Sequence, residues 1–166
     1  MENRNLYSLL CPEKKDVDEW LYEFLSTSNA KKVFFDAPLS LPRIYFDEED
    51  EKSTHHYRQA DIELKAMSPM FLGGLSARAI ALKKRCGKKG MIFYETYPKA
   101  VLLQRFSGMT KDQALLSIEK ELGYLIEQKD LSEHQKDSLL AWYAGKKNLD
   151  GESFIYGREI EGQIFV

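Results

Sequence analysis

Cysteine, glycine-rich loops and long apolar runs are all scarce in this sequence, and each absence excludes a class of protein. The 166 residues contain only two cysteines, Cys11 and Cys86, too few and too far apart for a disulfide framework or a cysteine-rich zinc site. No apolar run approaches the roughly 20 residues of a membrane span. No glycine-rich phosphate loop and no nucleophile elbow is present.

A large excess of one sign of charge is also lacking, because the formal net charge is only −2. A field of basic residues that would attract nucleic acid in bulk is therefore absent. The N-terminus has no apolar region typical of a secretion signal, so we expect a cytoplasmic protein without membrane association. The length fits one domain spanning residues 1–166.

Strand and helix patterns alternate along the chain. Helices are predicted over residues 17–26, 57–65, 76–85, from 99, from 110 to 122 and from 132 to 144, and strands over 5–10, 31–35, 91–94 and 154–156. Capping boxes begin the helices at Thr110 and Ser132. An acidic run at 47–51 predicts a solvated loop. The alternation favours an α/β architecture with at least one parallel pair of strands.

The two most apolar strands each end in a carboxylate followed by a proline. Asp36 follows Val33–Phe35, and Glu95 follows Ile92–Tyr94. If the strands are parallel neighbours, these acids emerge at the same edge of the sheet, where ligands of open α/β sheets bind. Acids at strand ends are also often solvated or capping residues.

A third acid, Asp137, lies past the first turn of its predicted helix. Residues 137, 140, 141 and 144 share one face, which is otherwise apolar or small. A carboxylate on a packed face needs a partner. That partner is either a metal ion or a nearby lysine or arginine.

Together, Asp36, Glu95 and Asp137 would suit a hard divalent cation, Mg²⁺ or Mn²⁺, because such ions take carboxylate oxygens together with water and phosphate. Their mutual repulsion at neutral pH would be relieved by the ion. These three residues are the predicted metal ligands and catalytic residues.

Several segments resemble the domain of unknown function 429 family, a group of predicted nucleases with an RNase H-like fold. The matching segments occur in family order over almost the whole chain, and the letters DAPLSLP and IEGQI are the most specific of them; the segments are 35–42, 57–61, 73–80, 94–98, 137–142 and 161–164.

The resemblance implies an RNase H-like mixed sheet flanked by helices and a metal-dependent nuclease or phosphodiesterase. Its acidic positions would be Asp36, Glu95 and Asp137, and its substrate a nucleic acid or nucleotide. Arg58, Asp61 and Arg78 match family positions and are candidate substrate-binding residues. Arg78 either binds a phosphate or bridges Asp36 or Asp61.

The sequence departs from the family at its N-terminus, where the family's aspartate-bearing first strand has no counterpart. The predicted sheet is therefore incomplete at the N-terminus, and the strand at 33–35 needs another partner for its edge. Two arrangements would supply one: the segment Asn5–Leu10 covers the edge, or a second copy adds a strand across a homodimer.

The missing aspartate favours an alternative function, a catalytically inactive RNase H-like module that binds a partner or serves a structural role. A third alternative is an enzyme of another class on the same fold, because a fold does not determine its chemistry.

Overall fold

The computed structural model describes residues 4–46 and 54–166. The described helices are α1 (Val17–Thr27), α2 (Gln59–Leu64), α3 (Gly73–Gly87), α4 (Pro98–Arg105), α5 (Lys111–Leu122) and α6 (Glu133–Leu149). The described strands are β1 (Arg4–Leu6), β2 (Lys32–Phe35), β3 (Ile92–Thr96), β4 (Tyr124–Ile126), β5 (Ile155–Tyr156) and β6 (Ile164–Phe165). The acidic run at 47–51 lies outside the described residues.

The main sheet has the strand order β2-β3-β6-β5. Strands β2, β3 and β6 are parallel, and β5 runs antiparallel to β6. The prediction of an α/β fold with a parallel pair is therefore confirmed by β2 and β3. The sequence analysis missed β6, a two-residue strand too short to show a hydrophobic period.

Helices cover both faces of the sheet. On one face, α1 and α3 form a core with β3 through Leu25, Leu82 and Phe93. The second core joins α4, α5 and α6 to the C-terminal residues, including Ile164. No helix of the described part of the chain is both long and apolar enough to span a bilayer.

The predicted capping boxes at Thr110 and Ser132 are confirmed, since each hydroxyl accepts a hydrogen bond from the backbone N–H three residues later. Two predicted boundaries are wrong. Helix α3 begins at Gly73, so Ser76 is not its cap, and its hydroxyl instead donates to the Pro69 carbonyl at 2.7 Å.

Helix α6 continues through Gly145 to Leu149, although the sequence predicts an end at Gly145. A Cβ at position 145 would lie 2.6 Å from Cδ2 of Phe34, closer than carbon atoms can pack. Glycine is therefore needed where α6 contacts β2, and it does not terminate the helix.

The outer edge of β2 pairs with no other described strand. The predicted cover by Asn5–Leu10 is not formed, because β1 pairs with β4 in a separate two-stranded sheet. A groove of ≈ 350 Å³ lies between β2 and α6 and is lined by Lys32 and Phe34 of β2, Trp142 and Gly145 of α6, and Tyr124 of β4.

Candidate functional site

The register of β2 against β3 decides which of the predicted acids share a face of the sheet. Phe35 lies opposite Glu95, so Asp36 is offset by one residue from Glu95. Successive side chains of a strand point to opposite faces. Asp36 therefore follows Phe34 toward α6, whereas Glu95 follows Phe93 toward the opposite face. The acids emerge at the same edge, as predicted, but on different faces.

Glu95 is held by a buried arginine. Both Glu95 oxygens accept hydrogen bonds from the Arg58 guanidinium, at 2.7 Å from Nη1 and 2.6 Å from Nη2. The Leu39 backbone N–H donates to the same carboxylate at 2.8 Å. Arg58 is 0% and Glu95 6% exposed, so this is a buried ion pair.

Arg58 also binds Asp61, the second candidate substrate-binding residue. Its Nε and Nη2 donate to the two Asp61 oxygens at 3.0 and 2.6 Å, and its Nη1 donates to the Ser40 hydroxyl at 2.9 Å. All five guanidinium N–H groups are therefore used. Burial alone would lower the pKa of Arg58, but its hydrogen bonds to Glu95 and Asp61 raise the pKa further than burial lowers it.

The C-terminal segment is attached to this network. The Ser40 hydroxyl donates to the Glu161 carbonyl at 2.7 Å, and the Glu161 carboxylate accepts from the Gln59 backbone N–H at 2.9 Å. A Cβ at Gly162, where φ is +98°, would lie 2.1 Å from Ser40 Oγ. The IEGQI letters that carry much of the family resemblance thus pack on the Arg58 network.

Asp36 and Asp137 line one opening on the α6 side of the sheet. We call it the acidic cleft; it has a volume of ≈ 230 Å³ and is lined by Asp36, Tyr97, Pro98, Lys99, Leu102, Lys111 and Asp137. The predicted packing of the Asp137 face is confirmed, because Leu140, Ala141 and Ala144 are buried.

Asp137 has the basic partner that the sequence analysis considered as the alternative to a metal. Lys111 Nζ lies 2.6 Å from Asp137 Oδ1 and 3.1 Å from Glu133 Oε2. Lys111 is the first residue of α5, and burial alone would lower its pKa, but the bond to Asp137 raises it. Lys99, across the cleft, forms no ion pair with the described residues.

Asp36 differs from the other two acids because no described residue donates a hydrogen bond to its carboxylate. Its side chain is exposed to solvent at the mouth of the cleft. The pKa of Asp36 is nevertheless raised to about 6, first because surrounding protein removes part of its water and second because Asp137 carries the same charge. Asp36 is thus the one acid of the three without a hydrogen bond or ion pair to a described residue, although the charges of Lys111 and His134 partly offset the rise in its pKa.

A second cavity adjoins the acidic cleft and shares Asp36 and Tyr97 with it. We call it the apolar pocket; it measures ≈ 320 Å³ and is lined by Asp36, Ala37, Pro38, Arg58, Asp61, Ala66, Met67, Leu72, Leu75, Glu95, Thr96, Tyr97 and Ile164. Burial and the nearby Asp36 charge raise the pKa of the Tyr97 hydroxyl.

Arg78 lies away from both cavities. Its Nε and Nη2 each donate to Asp18 at 2.8 Å, in a surface ion pair between α3 and α1. Of the two alternatives for Arg78, the bridge to Asp36 or Asp61 is therefore not formed. Arg78 points to α1 because it lies on the face of α3 that packs against that helix.

The predicted three-carboxylate centre is not assembled. Among residues 4–46 and 54–166, no three histidine, cysteine, aspartate or glutamate side chains gather closely enough to hold a metal ion. Asp36 instead shares a cavity with each of the other two acids, the acidic cleft with Asp137 and the apolar pocket with Glu95.

Sequence reasoning missed the lysines of the cleft and the apolar side chains of the pocket. Lys111 follows a cap residue and Lys99 follows Pro98, which are positions that predict only a helix start. Met67, Leu72 and Leu75 lie in a segment with no clear period. Nothing in their local pattern indicates a cavity.

No family model, curated protein or solved structure matches this chain. The similarity to the domain of unknown function 429 family thus depends on the segments quoted above.

Proposed function

We propose that this protein is a metal-dependent hydrolase of phosphodiester bonds, with Asp36 and Asp137 as the carboxylates that bind Mg²⁺ or Mn²⁺. One observation carries the proposal: Asp36 lines the same cleft as Asp137 and forms no hydrogen bond or ion pair with the described residues. The substrate would be a nucleic acid or a nucleotide.

The donor set of the cleft fits such an ion. Mg²⁺ usually takes one or two carboxylates and completes its shell with water and substrate phosphate. Asp36 and Asp137 supply two carboxylates, whereas Glu95 is already bound by Arg58. When bound, the ion would activate water and offset the charge of the phosphate.

The other residues of the cleft have roles that need no ion. Lys99 and Lys111 would attract the phosphate of the substrate. In this proposal Glu95 is a structural residue that fixes the loop at Leu39.

We further propose that the fold is RNase H-like. The family-like segments are ordered along the chain as in that family, and Asp36 and Glu95 end adjacent parallel strands. The short separate sheet of β1 and β4 departs from a continuous mixed sheet.

Metal-dependent stability tests the site. A ligand that binds only the folded state raises the melting temperature saturably with its concentration. We expect Mn²⁺ to produce such a rise in the wild-type protein, and Asp36→Asn and Asp137→Asn to abolish it. Glu95→Gln should melt at a lower temperature yet keep the rise, because Glu95 lies outside the proposed ligand set.

Asp130→Asn is the matched control, because Asp130 is an exposed aspartate that lines neither cavity. Hydrolysis of a single-stranded oligonucleotide in Mn²⁺, measured with and without chelator, tests the activity. Melting that is independent of Mn²⁺ would contradict the proposed site.

A second candidate function is a binding module without catalysis. The ion pair between Lys111 and Asp137 favours it, because a lysine already neutralises one of the two acids of the cleft. The Mn²⁺ titration separates the candidates: a metal must displace or share this lysine, and a purely structural ion pair would leave melting unchanged.

A further inference from the structure

The apolar pocket combines hydrophobic walls with an unusual polar side. Met67, Leu75 and Ile164 supply apolar surface, and two of them remain accessible, with Met67 60% and Leu75 43% exposed. Its volume of ≈ 320 Å³ lies at the lower end of typical small-ligand sites. This size suits one ring system with its substituents.

The polar side of the pocket offers acceptors and an excess of negative charge. Three carboxylates line it, from Asp36, Asp61 and Glu95, against the single cation of Arg58. Asp61 and Glu95 are buried and bound by Arg58, so Asp36 is the carboxylate that is accessible to a ligand. Arg58 has no free donor, since each of its N–H groups is bonded to Asp61, Glu95 or Ser40. The Thr96 hydroxyl is also engaged, because it donates to the Phe165 carbonyl at 2.7 Å.

A ligand of this pocket must therefore donate hydrogen bonds and carry no negative charge where it enters. An apolar ring with an amino group meets both conditions, because its ring contacts the apolar walls and its N–H groups face carboxylate oxygens. A ring that offers only hydrogen-bond acceptors would leave its own acceptors and the carboxylate oxygens of the pocket without donors.

The acidic cleft lies directly beside the pocket and, unlike the pocket, contains lysines that attract a phosphate. Asp36 and Tyr97 line both cavities, and Lys99 and Lys111 line only the cleft. One molecule could place a ring in the pocket and a phosphate in the cleft.

We infer that the apolar pocket binds the base of a nucleotide, and that it selects bases carrying an exocyclic amino group. The inference rests on the proposed function for its phosphate end, whereas its base end can be tested without metal.

Direct binding of nucleosides tests the inference without metal and without phosphate. Adenosine and purine riboside differ only in the amino group, and their affinities can be compared by calorimetry in the presence of chelator. We expect adenosine to bind at least about tenfold more tightly, the size of effect that a hydrogen bond to a charged group produces. Equal affinities, or no binding of adenosine, would overturn the inference.

A filled pocket supplies the second test. Leu75→Trp puts a large side chain at the pocket wall, and because Leu75 is 43% exposed the fold tolerates the added volume. We expect at least about a tenfold loss of adenosine affinity. Leu116→Trp is the control, since Leu116 is also an exposed helical leucine, on α5, and lines neither cavity. Unchanged adenosine binding in Leu75→Trp would place the nucleoside elsewhere.

These measurements separate the two proposals. Adenosine selectivity with Mn²⁺-independent melting would retain the base pocket and remove the metal site. A Mn²⁺ response without adenosine binding would do the reverse.

Discussion

Arg58 donates to both carboxylate oxygens of Glu95, at 2.7 and 2.6 Å, where neither side chain meets solvent to any extent. The pair joins the N-terminus of α2 to the end of β3. Because the Leu39 backbone N–H also donates to Glu95, the same pair fixes the loop that follows Asp36. The Arg58 network thus holds in place the loop that begins directly after Asp36.

Loss of Arg58 should destabilise the fold strongly. Arg58→Met leaves two buried carboxylates without their cation, and we expect a loss of about 3–5 kcal/mol in the free energy of unfolding. Arg58→Lys should cost less but still be destabilising, because an ammonium cannot reproduce the planar fork of a guanidinium. Urea denaturation measures both.

Arg78→Met is the matched control for Arg58→Met, since Arg78 pairs with Asp18 at the surface, where the side chains are 53% and 43% exposed. Exposed pairs typically contribute below about 1 kcal/mol. An Arg58→Met variant that is no less stable than Arg78→Met would show that the buried network does not stabilise the fold.

The charge of Asp36 should destabilise the metal-free protein above the pKa of this residue. The pKa is about 6 in the folded state against an ordinary value of 3.8 for aspartate. Because the folded state binds the proton more tightly, the stability that Asp36 contributes is fully present below about pH 4 and is lost as the pH rises through 6. Asp36→Asn removes this loss.

We therefore expect Asp36→Asn to be more stable than the wild type at neutral pH in chelator, and equal to it near pH 4. Since Asp36 is exposed and its charge is screened by solvent, the gain should be about 1 kcal/mol or less. Denaturation across this pH range gives the difference in unfolding free energy between the two proteins. This difference separates the effect of Asp36 from the effects of His134, Lys111 and Glu95, which both proteins contain. A difference that does not change with pH would contradict the raised pKa.

The contact between Gly145 and Phe34 should make alanine unfavourable in the middle of α6. Alanine is the better helix former by about 1 kcal/mol. Its Cβ would nevertheless lie 2.6 Å from the Phe34 ring, which is itself stacked on Tyr94 with centroids 5.0 Å apart. We expect Gly145→Ala to destabilise the protein by about 1–2 kcal/mol, because overpacking outweighs propensity.

A double-mutant cycle checks this assignment. Phe34→Leu shortens the ring side of the contact, so Gly145→Ala should cost less in that background than in the wild type. If Gly145→Ala stabilises the wild-type protein, position 145 is an ordinary helix position.

The outer edge of β2 is open, and the homodimer predicted from the sequence would pair two copies through it. The Ile92 N–H donates to the Lys31 carbonyl at 2.9 Å. In a parallel ladder alternate residues bond to the neighbouring strand. The backbone groups of Lys32 and Phe34 therefore face away from β3, at the open edge of the sheet. We expect reversible association through this edge.

Lys32→Pro should weaken such association without unfolding the protein. Proline removes the outward N–H and is tolerated as the first residue of a strand, which is the position of Lys32 in β2. Sedimentation across a range of concentrations measures the effect. A wild-type protein that remains monomeric throughout would exclude the homodimer.

Features were predicted correctly where the residues that produce them lie close together in the sequence. The capping boxes at Thr110 and Ser132 form because the donor and the acceptor are three residues apart. Strand β2 is visible as an uninterrupted apolar run. Gly145 misled the prediction because a glycine at a helix end and a glycine under an aromatic ring look alike in a sequence.

The sequence by itself determined the alternation of strands and helices, the parallel pair that ends in Asp36 and Glu95, and the apolar face behind Asp137. Tertiary structure alone decided which acids meet. Glu95 pairs with Phe35, so Asp36 lies one position further along the register. Because neighbouring positions on a strand face opposite ways, Asp36 faces α6 and Glu95 faces Arg58. The choice of Lys111 as the partner of Asp137 likewise depends on how α5 packs against α6, and no spacing along the chain encodes that contact.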